Sequence, residues 1–320
     1  MSNPDSQSPL AGEGWVRVEA TTTITPPLPP TETASPRYAD IETWSSAAML
    51  DAMLENQLAA VAAVRPALPA IEAAALAAAA RLRSGGRLAY AGAGTSGRIA
   101  IQDGAELPPT FDFPRDRLVM LMAGGEAALI RAAEGAEDDP SGQDATTLGP
   151  TDILVGVAAS GTTPYTIACL RTARTAGALT IAIANSPANP LLSAAEYPIA
   201  IPTGPEPIAG STRMGAGTAQ KVALNLFSTL LMTRLGRVYR GQMIDMRATN
   251  EKLHRRAIRM LCSLTAVDTA QAETALTASA GRLKVAVLVL KGMTPNSAEI
   301  ALATADGDLH RAISNQKSLF

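Results

Sequence analysis

The chain has 320 residues, 47% of them hydrophobic but only 3% aromatic, and carries a net charge of -2 at neutral pH. That length accommodates one large α/β domain and a small accessory one, with a core built from Ala, Leu, Ile and Val. The near-zero charge gives no attraction for nucleic acid or an anionic membrane surface. His254 and His310 are far apart and lack Cys or acidic companions at ligand spacing, so neither a metal nor another cofactor is expected. Cys169 and Cys262 each sit in an apolar helical pattern and read as free thiols, which suits a reducing compartment. The N-terminus lacks a basic segment followed by an apolar one, so a cytoplasmic location is expected. The nearest approach to a membrane span, residues 58–82, is interrupted by Arg65, Pro66, Pro69, Glu72 and Arg81.

Residues 1 to about 35 are rich in Pro, Thr, Ser and Gly, which predicts a flexible tail. Helical patterns follow over 41–64 and 67–84, ended by Gly85 and Gly86. Five apolar runs come next, at 87–91, 117–123, 152–158, 179–184 and 197–202. They alternate with helical patterns at 96–106, 126–137 and 165–176. Strands alternating with helices predict a doubly wound, five-stranded parallel sheet of the α/β class, whose ligands bind beyond the carboxyl ends of the strands. A long helical region over 214–264, broken near Gly236, is followed by short helices at 269–278, 283–291, 298–304 and 309–313. The expected organisation is therefore a tail (1–35), a sheet domain with flanking helices (36–264) and a small C-terminal helical bundle (265–320).

The first apolar run leads into Gly92-Ala-Gly94-Thr95-Ser96-Gly97. Glycines there let the backbone approach an anion closely, and the free amides and dipole of the following helix favour phosphate. Thr95 and Ser96 either cap that helix or donate to phosphate oxygens. The same pattern is a dinucleotide fingerprint, but that reading needs an acidic residue about 20 positions on. Glu126, the residue available, lies 29 positions past Gly97. A second loop, Ser160-Gly161-Thr162-Thr163-Pro164, follows the third apolar run. Alone it reads as an ordinary capped helix start. Two such loops at two strand ends of one sheet point instead to a shared phosphate bed.

Carboxylates are the candidates for proton transfer. Glu106 lies in Asp103-Gly-Ala-Glu-Leu-Pro-Pro109, where the prolines are expected to end the helix. Glu134 and Glu137 are three apart on an expected helix and share a face; a helix C-terminus there would raise their pKa values toward the range useful for acid–base chemistry. A solvated acidic helix end is the plainer alternative. Arg213 and Lys221 are candidates to bind a carboxylate or phosphate, with surface ion pairs as the alternative.

Taken together, these stretches resemble a known family. The two glycine–hydroxyl loops resemble those of sugar isomerase (SIS) domains. More narrowly, Gly92–Arg98, Asp103–Thr110, Glu134–Asp138, Gly210–Arg213, Ala216–Lys221 and Ala248–Lys252 resemble the N-acetylmuramic acid 6-phosphate etherases. The similarity runs from about Thr31 to the end, including a small, UBA-like helical domain. It implies cleavage of the D-lactyl ether of a sugar phosphate without metal or cofactor, with Glu106 as acid toward the lactate and Glu137 as base. It also implies a homodimer. The chain departs from the family's usual pattern at Ala105, preceded by Gly104, where the family commonly has Ser, and at Gly215, where it commonly has Lys.

On a continuous helix, Ser96 and Glu106 would lie about 15 Å apart, farther than a hexose phosphate reaches between its phosphate and C3. Either Gly104 breaks the helix, or Glu106 serves a site whose phosphate loop belongs to another subunit. Two other readings share the fold: an aldose–ketose sugar-phosphate isomerase, and a non-catalytic sugar-phosphate-binding regulator.

Overall fold

The computed structural model describes residues 28–246 and 250–317; the expected tail over 1–27, and Ala248 and Thr249 of the last family motif, lie outside them. Two helices come first, α1 (Ser46–Ala62) and α2 (Leu68–Arg83), separated by a 3-10 turn at Arg65–Ala67. The stretch Ser46–Arg83 is apolar and long enough by composition to cross a membrane. Its two helices are separate, however, and α2 buries Ile71, Ala74, Ala75, Ala78, Ala79 and Leu82 against the protein core.

The sheet comprises β1 (Leu88–Gly92), β2 (Leu118–Met122), β3 (Ile153–Ala158), β4 (Leu179–Ala184) and β5 (Tyr197–Ala200). All pairings are parallel, in the order β2-β1-β3-β4-β5. Alternating side chains divide the core into two layers. Leu88, Tyr90, Ile153, Val155 and Ile181 face one cluster with α2 and α6 (Gly215–Arg234). Ala89, Ala91, Leu154 and Ala182 face the other, with α4 (Pro164–Thr175) and α5 (Pro190–Ala194). In this strand order the chain reverses direction between β1 and β3, which opens a crevice at their carboxyl ends.

Three expectations are corrected. Helix α3 (Gly94–Phe111) runs without a break through Gly104, Pro108 and Pro109 and ends only at Asp112, whose left-handed conformation caps it. Gly104 serves close packing instead: a Cβ there would come within 2.6 Å of the Met120 methyl and 2.9 Å of the Tyr90 ring. The expected helix over 126–137 does not form. Only short 3-10 turns appear, at Glu126–Leu129 and Ala136–Asp138, separated by Gly135 at φ 73°. The Arg98 Nε takes the carbonyls of both Ala128 and Leu129 at 3.1 Å, two acceptors that a continuing helix would need. The tail also ends earlier than expected. Pro30–Glu32 forms a 3-10 turn with Thr31 fully buried.

After α6 the chain makes a small antiparallel hairpin, β6 (Val238–Tyr239) with β7 (Gln242–Met243). Helices α7 (Glu251–Thr265), α8 (Thr269–Ala278), α9 (Leu283–Val289), α10 (Pro295–Thr304) and α11 (Leu309–Lys317) follow. Ala257, Met260, Leu261 and Leu264 of α7 join a core with Leu276, Leu283, Val287 and Leu302. This helix, expected to go with the sheet domain, thus packs with the C-terminal bundle.

Candidate active site

At the β1/β3 crevice, β1 ends at Gly92 beside Val157 of β3, so the loops that follow the two strands emerge side by side. They line one cavity of about 740 Å³. Gly94, Thr95 and Ser96 form one wall, and Ser160, Thr162, Thr163 and Pro164 another. Two of the glycines are explained by crowding. A Cβ on Gly97 would fall 2.6 Å from the Gly92 carbonyl oxygen, and one on Gly161, at φ +74°, 2.1 Å from the Asn189 side chain. Neither lines the cavity; they hold the loops' shape.

Both helices begin at the cavity without a side-chain cap. The N-cap of α3 is Ala93 and that of α4 is Thr163, and neither side chain accepts a bond from its helix. Thr95 and Ser96, candidates for capping, leave the first-turn amides of α3 to the cavity. Uncapped first-turn amides need an external acceptor, and two converging dipole ends favour an anion. The second loop is preset, with Ser160 Oγ 2.9 Å from Thr162 Oγ1 and accepting from the Thr162 amide at 3.2 Å.

The two candidate glutamates part company. Glu137 lines this cavity, together with Asp138. Its segment is tied down by the Arg98 contacts and by Asp139, which accepts from the amide and hydroxyl of Ser141. The helix dipole invoked for Glu134 and Glu137 is absent because that helix is absent; Glu134 is exposed and outside the cavity. Glu106 lies on the solvent-exposed side of α3 and does not line the cavity. Of the candidate cations, Arg213 is exposed and follows Thr212 of the cavity wall, while Lys221 lies further along α6, and neither lines the cavity. Among the described residues no cluster of His, Cys, Asp or Glu is placed to hold a metal ion.

Comparison with known proteins fits this geometry. Residues 71–174 match the glucokinase regulatory protein N-terminal SIS domain, and residues 132–230 the SIS domain. A Deinococcus radiodurans protein named N-acetylmuramic acid 6-phosphate etherase is 47% identical over 90% of this chain and 96% of its own. One of the same name from Erwinia tasmaniensis is 44% identical over 88% and 94%. The chain belongs to the N-acetylmuramic acid 6-phosphate etherase family. A solved phosphoheptose isomerase from Francisella tularensis, at 21% identity, overlays 59% of this chain and 97% of its own with a TM-score of 0.44.

The structure gives roles to residues that the sequence left without one. Asp103, one helical turn before Glu106, is 2% exposed and accepts from Tyr90 Oη at 3.1 Å, Asn225 Nδ2 at 2.6 Å and Ser228 Oγ at 3.1 Å. Burial raises its pKa, and those three hydrogen bonds, with Lys221 nearby, only partly offset that. It ties α3 to β1 and α6. Gly215 sits at the start of α6, where a Cβ would come within 2.6 Å of Asn56 Oδ1. There the buried Glu206 accepts from the amides of Gly215 and Ala216, both at 2.8 Å. Glu32, assigned by sequence to the tail, lines the same cavity as Glu137; the Thr-Glu pair after a proline run carried no signal of it.

Proposed function

We propose that this etherase-family chain cleaves the D-lactyl ether of N-acetylmuramate 6-phosphate, giving N-acetylglucosamine 6-phosphate and D-lactate. The observation that carries this reading is one cavity lined both by two uncapped helix N-termini and by Glu137. The phosphate sits against the amides and hydroxyls of Thr95, Ser96, Ser160, Thr162 and Thr163. In the open-chain sugar the C2 proton is acidic because it is α to the C1 aldehyde. Glu137 removes it, and the electrons move to break the C3–O bond as Glu106 protonates the departing lactate oxygen. Water then adds at C3 and C2 regains a proton, so one water is consumed and nothing is oxidised or reduced. Arg213 and Lys221 supply positive charge for the lactyl carboxylate or the phosphate.

Because α3 is continuous and the exposed Glu106 does not line the cavity of its own chain, we take Glu106 to serve the cavity of a second copy. The working unit is thus a homodimer. Helix α1 offers a surface for it, with Leu50, Leu54 and Leu58 exposed by 67%, 57% and 63% along one face. The reaction belongs to cytoplasmic recovery of cell-wall amino sugars.

The test is D-lactate release from N-acetylmuramate 6-phosphate by the purified full chain. Glu106→Ala and Glu137→Ala should each lower the rate by about 100-fold or more. Release that survives both substitutions would overturn the carboxylate assignment. Absence of release from a protein that still binds the sugar phosphate would make it a regulator instead.

A further inference from the structure

We infer that Glu32, carried by the N-terminal segment, is a sugar-recognition residue: its carboxylate accepts hydrogen bonds from hydroxyl or amide N–H groups of the sugar phosphate held in the β1/β3 cavity. The inference rests on the cavity binding a sugar phosphate, as proposed above.

The segment is fixed in place, not draped. Thr31 is fully buried and its carbonyl accepts from the Gly210 amide at 3.3 Å. The Glu32 amide donates to Pro29 at 2.8 Å, and the Thr33 hydroxyl closes the same turn on Pro29 at 3.2 Å. The turn therefore rides on the Gly210–Thr212 loop, itself part of the cavity wall. Glu32 is exposed to that cavity, and its side chain has no hydrogen bond or ion pair among the described residues. A fixed backbone that presents an unpartnered carboxylate to a cavity is arranged for a ligand with donors.

The chemistry of the cavity says which part of the ligand that is. A carboxylate repels phosphate, so Glu32 does not belong to the phosphate bed made by the two helix N-termini. It faces the polyol and amide part of the ligand, whose O–H and N–H groups are donors. The lactyl carboxylate, also an anion, must be turned away from it. Glu32 is thus a specificity determinant in a stretch whose composition reads as linker.

The test is calorimetric binding of two probes, N-acetylglucosamine 6-phosphate and inorganic phosphate, to the wild-type chain, Glu32→Gln and Glu32→Ala. Glu32→Gln keeps the size of a side chain that makes no hydrogen bond or ion pair among the described residues, so it folds even if the alanine variant does not. Both substitutions should weaken the sugar phosphate about 10-fold, as expected for a hydrogen bond to a charged group. Inorganic phosphate should bind as before or tighter, because a repelling charge has gone. Equal weakening of both probes would assign Glu32 a structural role only, and no change in either would remove it from the site; both overturn the inference. A wild-type chain that binds the sugar phosphate but releases no lactate fails the etherase reading and leaves this one standing. One that does not bind the sugar phosphate sinks both.

Discussion

The two candidate glutamates sit on regions built in opposite ways. Glu106 rides on α3, an 18-residue helix pinned from within by Asp103 to β1 and α6. Glu137 rides on a glycine-punctuated segment with no regular helix longer than one 3-10 turn, held by Arg98 and by its own turn contacts. The rigid rod carries an exposed carboxylate that lies outside the cavity, while the carboxylate of the irregular segment lines it. In the proposed dimer, a carboxylate that reaches another subunit needs a stiff mount, since any bend is magnified at the interface. One that meets substrate within its own chain can ride on a loop that adjusts.

The sharpest way to break this comparison is to mix variants. If each site takes Glu106 from one chain and Glu137 from the other, Glu106→Ala and Glu137→Ala dimers are both inactive. Heterodimers formed by subunit exchange then hold one intact and one doubly defective site. With random exchange, lactate release should recover to roughly a quarter of wild type from essentially nothing. A mixture that stays inactive after exchange, with heterodimers verified by mass, would put both carboxylates of a site on one chain.

Next in size is loss of the internal anchor of α3. Asp103→Ala leaves Tyr90, Asn225 and Ser228 without their shared acceptor in a buried setting and should cost about 3 kcal/mol of stability. The pH dependence has a definite sign. Burial raises the Asp103 pKa in the native state, so the folded chain holds this proton to higher pH than the unfolded one. The contribution is full below the ordinary carboxyl value of about 3.9 and declines as pH rises through the raised native value. Denaturant titrations should therefore show the stability gap between wild type and Asp103→Asn narrowing as pH rises from about 3.9 through the raised native value. A gap independent of pH would mean Asp103 does not titrate with a raised pKa.

Exposure of α1 gives a smaller and more conditional effect. Leu54→Gln places an amide in the apolar stripe of Leu50, Leu54 and Leu58 without touching the cavity. Activity per chain should stay near wild type at high concentration and fall several-fold on dilution, followed by sedimentation in parallel. Activity that is independent of concentration in both proteins would remove α1 from the interface.

Much of the fold was legible because it is written in apolar runs bounded by glycines. The strands at 152–158 and 179–184 coincide with β3 and β4 to within a residue, since fully buried parallel strands tolerate little else. The two hydroxyl loops were legible for the same reason, as strand ends followed by glycine. What failed was decided by contacts distant in sequence. No local pattern reveals that the Arg98 guanidinium donates to the Ala128 and Leu129 carbonyls, or that the segment over 126–137 forms only short 3-10 turns. Pro108 and Pro109 predict a stop, yet α3 carries both and ends a few residues later at the Asp112 cap. Glu32 was hidden because a proline-rich stretch reads as linker until Thr31 is seen buried against the Gly210 loop.

The Arg98 clasp also allows the finest test of the contrast between rod and loop. Arg98→Ala removes two hydrogen bonds that fix the start of the Glu137 segment but leaves the core of α3 intact, because Arg98 itself is half-buried on its surface. The two bonds share one donor on a charged guanidinium and are together worth about 1.5–3 kcal/mol, and only the local arrangement of the segment draws on them. The expected result is a melting temperature within a few degrees of wild type and a kcat lowered about 10-fold, with binding of inorganic phosphate unchanged because the helix N-termini are untouched. A variant that loses stability but keeps kcat would show that the clasp serves the fold and not the placement of Glu137. One that loses phosphate binding as well would show that the loop and the phosphate bed move as a single body, and the division between a rigid and an adjustable mount would have to be abandoned.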